Sequence, residues 1–453
     1  MLAAMSFWSA TRCLYHVVLR NPVERAVFMV DEPTGWALPV VEAEPGHPGD
    51  FRVITRAMRD RFGIDVIALG ALAHSFDPAS RVAESVREVE SRTRGWIPGP
   101  GARWIALREP TTLKLARPDH RALLTSSSDT RRSALPWEQS GWVDHALGWI
   151  DAELGARGFG PIDAVEQVRA WEFSSVLAVT AGSRQFYFKA VRADRPTEVG
   201  LTARVAARHP GAVAPIIASD PTRHWMLMGA VAGPALETVR DTRRWEAAAA
   251  AYARLQLEWI DHGADLVALG CRDFRPARLA REVAPLIADE RALRPGLRRD
   301  LSADELARLR AVVPKLVAAY AELDGYGVPA TLDHADLWAS NIIDSPAGPV
   351  IIDWEDACLS HPFFAHWQMF LSMEGCVDDE AGAQRRIRDA YLEPWTRYDS
   401  PKRLREAFDL AQRLAPLTFA IMSRLETLPI LDASWELREF APFYLRRLIG
   451  GWS

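Results

Sequence analysis

The sequence predicts an α+β protein with more than one domain. Its 453 residues exceed the roughly 100–200 residues of a typical domain, and 49% of them are hydrophobic, enough for sizeable cores. Strand-like alternation occurs in two separate stretches, near residues 12–115 and 163–191, whereas helix-like spacing dominates after residue 235. These patterns predict a small α+β domain, then a β-rich part, then a mainly helical part.

Composition excludes several other classes of protein. Charged residues make up 25% of the chain, and the formal net charge of −5 gives no broad basic surface for nucleic acid. No apolar run reaches the length of about 18 residues that a membrane span needs. The four cysteines are scattered without a CxxC pair, as in reducing compartments. We therefore expect a cytoplasmic protein without nucleic-acid or membrane partners, and its oligomeric state stays open.

The first domain is predicted over residues 1–120. A helix is predicted from Asp50 to Phe62, because its apolar residues recur at helical spacing and Gly63 provides a stop signal. Alternating apolar residues predict the strands around it. These strand patterns lie at 12–30, 35–41, 65–76 and 103–115.

A linker and an amphipathic helix are predicted over residues 121–160. The linker is polar and rich in Ser and Arg, and the helix runs from Trp137 to Leu154. A second β-rich part follows over 161–234. It begins as three strands, with a tight turn at 181–183 between the last two, and continues with a helix and another strand.

The helical part, residues 235–453, is interrupted only at 329–356. This stretch contains His334-x-Asp336-x4-Asn341, then two short apolar strands joined by a turn, then Asp353. A hairpin of this size brings Asn341 and Asp353 to the same end, with Asp336 on the loop leading in. Two carboxylates and an amide suit a magnesium ion that holds nucleotide phosphates. A solvated turn with capping residues is the alternative interpretation.

This segment resembles the aminoglycoside phosphotransferase and choline kinase-like superfamily, the small-molecule branch of the protein-kinase-like fold. The resemblance implies a bilobal fold, with a β-rich N-lobe over 161–234 and a mainly helical C-lobe over 235–453. It implies Asp336 as the catalytic base, His334 as a structural brace of the loop, and Asn341 and Asp353 as magnesium ligands. The residues in matching positions are His334, Asp336, Asn341, Ile352, Asp353, Trp354 and Glu355. The departures are Ala335 in place of Gly, and Ser360-His361-Pro362 in place of Gly-Asp-Pro.

A kinase-like fold also needs a strand lysine at the phosphates and a helix glutamate that holds it. Lys189 is one of only four lysines, and it lies in the β-rich run QFYFKAV. The turn at 172–175 would cover the phosphates, and the strand near 229–231 would face adenine. The alternatives are that Lys189 is an edge lysine, that Glu198 is a carboxylate at a helix start, and that the strand near 229–231 is buried without a ligand. The residues predicted to bind the nucleotide are Lys189, Glu198, Ser174, Ser175, Gly229 and Val231.

The first domain resembles a Nudix fold in its Gly-Trp-x-Leu-Pro entry and the helix that follows. Arg56 and Gly63 match that family's helix motif, whereas its three metal-binding glutamate positions hold Ala57, Asp60 and Arg61. Losing one carboxylate and reversing the charge of another should disable a metal site that depends on clustered anions. We therefore predict a catalytically inactive Nudix-like domain. An unrelated small α+β sandwich is the alternative.

Together these patterns predict a small-molecule phosphotransferase, an enzyme that moves the γ-phosphate of ATP or GTP to a substrate hydroxyl with Mg²⁺. A nucleotide-binding pseudokinase that senses or scaffolds is a second possibility. A Nudix-type hydrolase with a kinase-like appendage is a third. The acceptor, the choice between ATP and GTP, the role of the first domain and any link to antibiotic resistance stay open, because this fold builds its acceptor pocket from variable helices.

Overall fold

The computed structural model describes residues 12–21, 23–43, 50–77, 80, 82–106, 113–125, 135–297, 299–431 and 438–452. Contacts divide the chain into two compact units, and the division in the described chain falls between Ala190 and Val191. We call the described residues up to Ala190 the N-terminal unit and those from Val191 onward the C-terminal unit. Both units combine helices and strands, so the predicted α+β class is confirmed.

The N-terminal unit begins with a seven-stranded sheet. Its strands are β1 (Arg12–Asn21), β2 (Ala26–Glu32), β3 (Gly35–Ala37), β4 (Val40–Ala43), β5 (Val66–Asp77), β6 (Val82–Ser91) and β7 (Ala102–Ala106). The order is β3–β2–β1–β6–β5, with β4 paired to β1 and β7 paired to β2. The strand β6 was missed by the sequence patterns because charged residues interrupt it. Its Glu84 and Glu88 pair with Arg117 and Arg20, so charge does not mark solvent exposure there.

The helix α1 (Arg52–Phe62) lies in the same unit and confirms the predicted helix, two residues shorter at its start. Gly63 ends it in a left-handed conformation with φ of 67°, which glycine adopts without steric cost. At two of the Nudix-type metal positions, Asp60 is exposed and Arg61 donates a hydrogen bond to the carbonyl of Val40 at 2.6 Å. The comparison with a Nudix fold stays a prediction.

Two further helices, α2 (Arg121–Thr125) and α3 (Trp142–Ala156), follow the first sheet. Residues 126–134 of the predicted linker lie outside the described residues. The second sheet of this unit holds β8 (Ala164–Ala170), β9 (Ser174–Ala181) and β10 (Arg184–Val191), in the spatial order β10–β9–β8. These strands confirm the three predicted ones. Phe188 of β10 packs against Trp142 and Trp149 of α3, so alternation along the strand puts Lys189 on the other face.

The C-terminal unit is mainly helical, as predicted. Its helices are α4 (Thr197–Arg208), α5 (Thr242–Leu257), α6 (Gly263–Ala268), α7 (Pro276–Ala288), α8 (Glu290–Leu293), α9 (Ala303–Gly325), α10 (His366–Ser372), α11 (Glu380–Leu392), α12 (Pro401–Met422) and α13 (Phe440–Trp452). Within the described ranges, none of the helices combines the length and the apolarity that crossing a bilayer requires.

Short strands lie between these helices. They are β11 (Ile216–Asp220), β12 (Trp225–Gly229), β13 (Arg272–Phe274), β14 (Thr331–Asp333), β15 (Ile342–Ser345), β16 (Gly348–Ile351) and β17 (Cys358–Ser360). The prediction that only 329–356 interrupts the helices was wrong, because β13 and β17 lie outside that range. Strands of three residues are too short to show a periodicity. They form a sheet in the order β13–β17–β14, which carries the loop that contains Asp336.

Candidate functional site

The loop that leaves β14 is held in place by side chains from neighbouring elements. Asp333, the last residue of β14, pairs with Cys358 of β17 and fixes where the loop starts. Four consecutive or near-consecutive backbone N–H groups of the loop then donate to buried side chains. The pairs are His334 to the Tyr252 hydroxyl at 2.8 Å, Ala335 to Asp333 at 2.9 Å, Leu337 to the Gln368 amide oxygen at 2.9 Å and Ala339 to the Ser372 hydroxyl at 3.1 Å. The backbone on both sides of Asp336 is thereby fixed.

Two residues near the site adopt a left-handed backbone. Ala335 has φ of 59° and Asp353 has φ of 67°. Aspartate tolerates this region, whereas alanine is destabilised there by about 1 kcal/mol relative to glycine. The hydrogen bonds around Ala335 hold this conformation, which explains how the loop accommodates alanine where the resembling family has glycine.

Asp336 and Asn341 are joined directly. The Asn341 amide nitrogen donates to the Asp336 carboxylate at 2.8 Å and to its backbone carbonyl at 2.9 Å. This assignment leaves the Asn341 amide oxygen as the atom able to bind a cation. Ile342 pairs with Ile351 in the β15–β16 hairpin, and the Ile352 N–H donates to the Asn341 carbonyl at 2.9 Å. The hairpin therefore brings Asn341 and Asp353 to the same end.

His334 connects the loop to the end of the hairpin. It is fully buried, and its Nε2 lies 3.0 Å from the carbonyl oxygen of Ile352. Its ring also meets the ring of Trp354 edge to face, with centroids 4.7 Å apart. These contacts suit a bracing role, because they tie the residue two places before Asp336 to the residue just before Asp353.

Acidic groups converge beside Asp336. Carboxylate oxygens of Glu198, Asp353 and Glu355 all lie within 4.8 Å of one another. Burial raises the pKa of Asp336 well above its ordinary value, and the negative charges of Asp356 and Asp353 raise it further, against the lowering effect of the Asn341 hydrogen bond. Such a set of oxygen ligands fits a hard divalent cation, which would neutralise this crowding of negative charge.

Sequence reasoning missed a partly buried ion pair at this place. Arg195 donates to Asp356 at 2.9 Å, and the Arg195 side chain is only 17% exposed. Burial lowers the pKa of Arg195, but the charges of Asp356 and Glu355 outweigh it and raise the pKa overall. Asp356 directly follows the Asp-Trp-Glu motif, which was the available signal. Arg195 carried none, since 161 residues separate it from its partner.

A cavity of about 450 Å³ opens beside Asp336 within the C-terminal unit. Phe419, Phe440 and Tyr444 form an aromatic wall, with the Phe419–Tyr444 and Phe440–Tyr444 centroids each 5.8 Å apart. Arg195 and Arg272 lie among the polar lining residues. This volume suits a small organic molecule. The acidic residues Glu374, Asp378, Asp379 and Glu380 are not among the described lining residues.

The predicted nucleotide-binding residues are divided between the two units. In the N-terminal unit, Lys189 is buried on β10, and Ser174 and Ser175 are fully buried at the start of β9. The turn between β8 and β9 comprises residues 171–173, slightly before the predicted 172–175. In the C-terminal unit, Glu198 is buried in the first turn of α4, Gly229 ends β12, and Val231 lies just beyond it.

Comparison with protein families places this site in context. The model of the phosphotransferase enzyme family, APH, matches residues 164–421, more than half of the chain. The chain therefore belongs to the phosphotransferase enzyme family. This confirms the resemblance and the protein-kinase-like α+β fold predicted from the motif around Asp336.

No curated protein matches the chain. Among solved structures, a choline kinase from Streptococcus pneumoniae is 13% identical with a TM-score of 0.45, over 68% of this chain and 98% of its own. An ethanolamine kinase from Plasmodium vivax is 15% identical with a TM-score of 0.47, over 70% and 89%. A macrolide 2′-phosphotransferase type I is 14% identical with a TM-score of 0.44, over 66% and 96%. Identities this low leave the family match of residues 164–421 as the basis of the assignment.

Proposed function

We propose that this phosphotransferase moves the γ-phosphate of ATP or GTP to a hydroxyl group of a small molecule in a Mg²⁺-dependent reaction. One observation carries the proposal. Asp336 lies in the wall of a 450 Å³ cavity, is hydrogen-bonded to Asn341, and adjoins a cluster of carboxylates. A group that can accept a proton is thereby placed where an acceptor molecule can bind.

In this proposal Asp336 orients the acceptor hydroxyl and takes its proton. The hydroxyl oxygen then forms a bond to the γ-phosphorus, while the bond from that phosphorus to the β-phosphate oxygen breaks. Asn341 fixes the carboxylate of Asp336 through its amide nitrogen. The buried hydrogen bonds of the loop keep Asp336 from turning away, and fixed geometry of this kind lowers the barrier of a transfer reaction.

Asn341 and Asp353 would hold the magnesium ion, and Glu355 adjoins Asp353 in the acidic cluster. The ion, when bound, would screen the charge of the phosphate oxygens. Lys189 keeps its predicted role at the phosphates, and Glu198 its role as the acidic residue that holds a lysine. The nucleotide-binding roles of Ser174, Ser175, Gly229 and Val231 also remain predictions.

The test is transfer of label from γ-labelled ATP and GTP, with Mg²⁺ and a panel of acceptors. The panel holds choline, ethanolamine, antibiotics and a bacterial small-molecule extract, and any labelled product is identified by mass. We expect Asp336→Asn to lower the rate by about 10²–10⁴-fold, the range of a general base, while nucleotide affinity changes little. Asp378→Asn makes the same chemical change on an exposed loop and should leave the rate unchanged.

Near-wild-type transfer by Asp336→Asn would rule out the proposed role of that carboxylate. Magnesium-dependent nucleotide binding without transfer to any acceptor would instead favour the pseudokinase interpretation. Hydrolysis of a nucleoside diphosphate derivative that survives Asp353→Ala would favour a Nudix-type hydrolase. We propose that the Nudix-like domain is inactive, because Ala57 has no carboxylate and Arg61 is occupied with the carbonyl of Val40.

A further inference from the structure

The turn between β8 and β9 is built from aromatic residues instead of glycine. It is closed by the Trp171 N–H, which donates to the Ser174 carbonyl at 3.1 Å. The rings of Trp171 and Phe173 lie 4.6 Å apart, and the Arg169 guanidinium lies over the Trp171 ring at 5.2 Å. A glycine-rich loop can adapt its backbone to a phosphate, whereas this turn is stiffened by its own side chains. Its position must therefore be set in advance by what holds it.

A residue outside the β8–β9 hairpin holds this turn. Trp137 lies in the short 3-10 turn Pro136–Glu138, and its indole N–H donates to the carbonyl oxygen of Trp171 at 3.0 Å. Trp137 is 1% exposed, and its ring meets that of Trp142 at the start of α3. The hydrogen bond is partly buried, and losing it removes this donor from the Trp171 carbonyl.

A second connection joins the first sheet to β8. The side-chain amide of Gln167 exchanges two hydrogen bonds with the backbone of Ala68 on β5, at 2.9 Å to its carbonyl and 2.8 Å from its N–H. The strand β5 lies at the end of the sheet order, so Gln167 pairs with an edge as a neighbouring strand would. Gln167 is 1% exposed. On the surface, Arg56 of α1 pairs with Glu166 of β8 at 2.7 Å.

We propose that the Nudix-like domain and the Trp137 segment form a platform that positions the β8–β9 turn for nucleotide binding, with Trp137 and Gln167 as positioning residues. This inference rests on the proposed function, since the role of the turn at the phosphates follows from the kinase-like fold. The platform gives the first domain a task that needs no chemistry of its own. Without an anchor, the turn must be ordered when the nucleotide binds, and the free-energy cost of ordering it weakens nucleotide affinity.

The experiment measures binding of magnesium-ATP and magnesium-GTP to the full-length protein by titration calorimetry, so no acceptor is needed. Trp137→Phe keeps an aromatic ring but removes the N–H donor and part of the indole. Trp245→Phe is the matched control, because Trp245 is also buried and its indole N–H donates to the Val239 carbonyl at 2.8 Å, in the C-terminal unit and outside the platform. We expect Trp137→Phe to weaken binding at least fivefold, and Trp245→Phe to change it less than twofold at a comparable loss of thermal stability.

Gln167→Met, which removes both hydrogen bonds to Ala68 at similar side-chain length, should also weaken binding at least twofold. The Gln167→Met variant tests the proposed platform if Trp137→Phe fails to fold. Unchanged affinity in the folded Trp137 or Gln167 variants, while the wild type binds nucleotide, would overturn the platform and leave the proposed function intact. An equal loss of affinity in Trp137→Phe and Trp245→Phe would also overturn it, as a general effect of destabilisation. A wild-type protein that binds no magnesium-nucleotide would refute the proposed function and this inference together.

Discussion

Asp333 offers a test of how the loop before Asp336 is held. Its carboxylate is 1% exposed and accepts hydrogen bonds from the Ala335 N–H and the Tyr252 hydroxyl. Burial raises the pKa of Asp333 to about 7, although these hydrogen bonds favour the charged form and limit the rise. Replacing Asp333 by asparagine keeps the size of the side chain and removes its titration.

The sign of the effect on stability follows from the raised pKa. Between an unfolded pKa of about 4 and the folded value of about 7, the folded protein binds the proton more tightly than the unfolded chain. The stabilisation from Asp333 is therefore complete below about pH 4 and is lost as the pH rises through 7. At about 1.4 kcal/mol per pH unit, the loss is about 4 kcal/mol in total, of which about 2–3 kcal/mol falls between pH 5 and pH 8.

The assay is reversible urea denaturation of the wild type and of Asp333→Asn at pH 5 and pH 8. The free energy of unfolding of the variant, relative to the wild type, should be higher at pH 8 than at pH 5 by about 2–3 kcal/mol. Any pH-independent cost of the amide cancels in this double difference, as does the titration of other residues. Asp378→Asn, on an exposed loop, should show a double difference of less than about 0.5 kcal/mol. A double difference near zero for Asp333→Asn would refute the reasoning.

Two further predictions concern acid sensitivity. Burial lowers the pKa of His366 to about 3, so the folded protein loses stability as the pH falls from about 6.5 towards 3. In urea denaturation, His366→Phe should reduce the loss of stability between pH 7 and pH 5 by about 2 kcal/mol. His145→Phe, on an exposed helix face, should not reduce this loss. Hydrogen bonds from Arg446, which lies on α13, lower the pKa of Glu305 to about 2, so this pair loses its stabilising effect as the pH falls from 5 to 3. In thermal unfolding scans, Arg446→Met should therefore reduce the stability lost between pH 5 and pH 3 by about 1–2 kcal/mol. Equal acid sensitivity of the wild type and this variant would show that the Arg446–Glu305 pair does not stabilise α13.

Short-range patterns in the sequence, namely residue spacing and apolar runs, predicted the centre of the candidate site. Asp336, Asn341 and Asp353 lie within one short stretch, and a turn and two apolar runs were enough to predict the hairpin that brings two of them together. The helix α1 and the strands β8 to β10 were predicted for the same reason. Their signals, a stop glycine and a periodicity, extend over no more than a dozen neighbouring residues each.

The contacts that complete the site join residues far apart in the chain, and no local pattern records them. Arg195 meets Asp356 across 161 residues, and Gln167 meets Ala68 across 99. The charged residues of β6 suggest a surface segment, and only the folded structure shows that Glu84 and Glu88 pair with Arg117 and Arg20. The sequence by itself therefore determined which groups we propose for the chemistry, because spacing along the backbone is local. Only the tertiary structure decided which charges are paired, what lines the cavity and what holds the aromatic turn, because burial depends on the packing of distant segments.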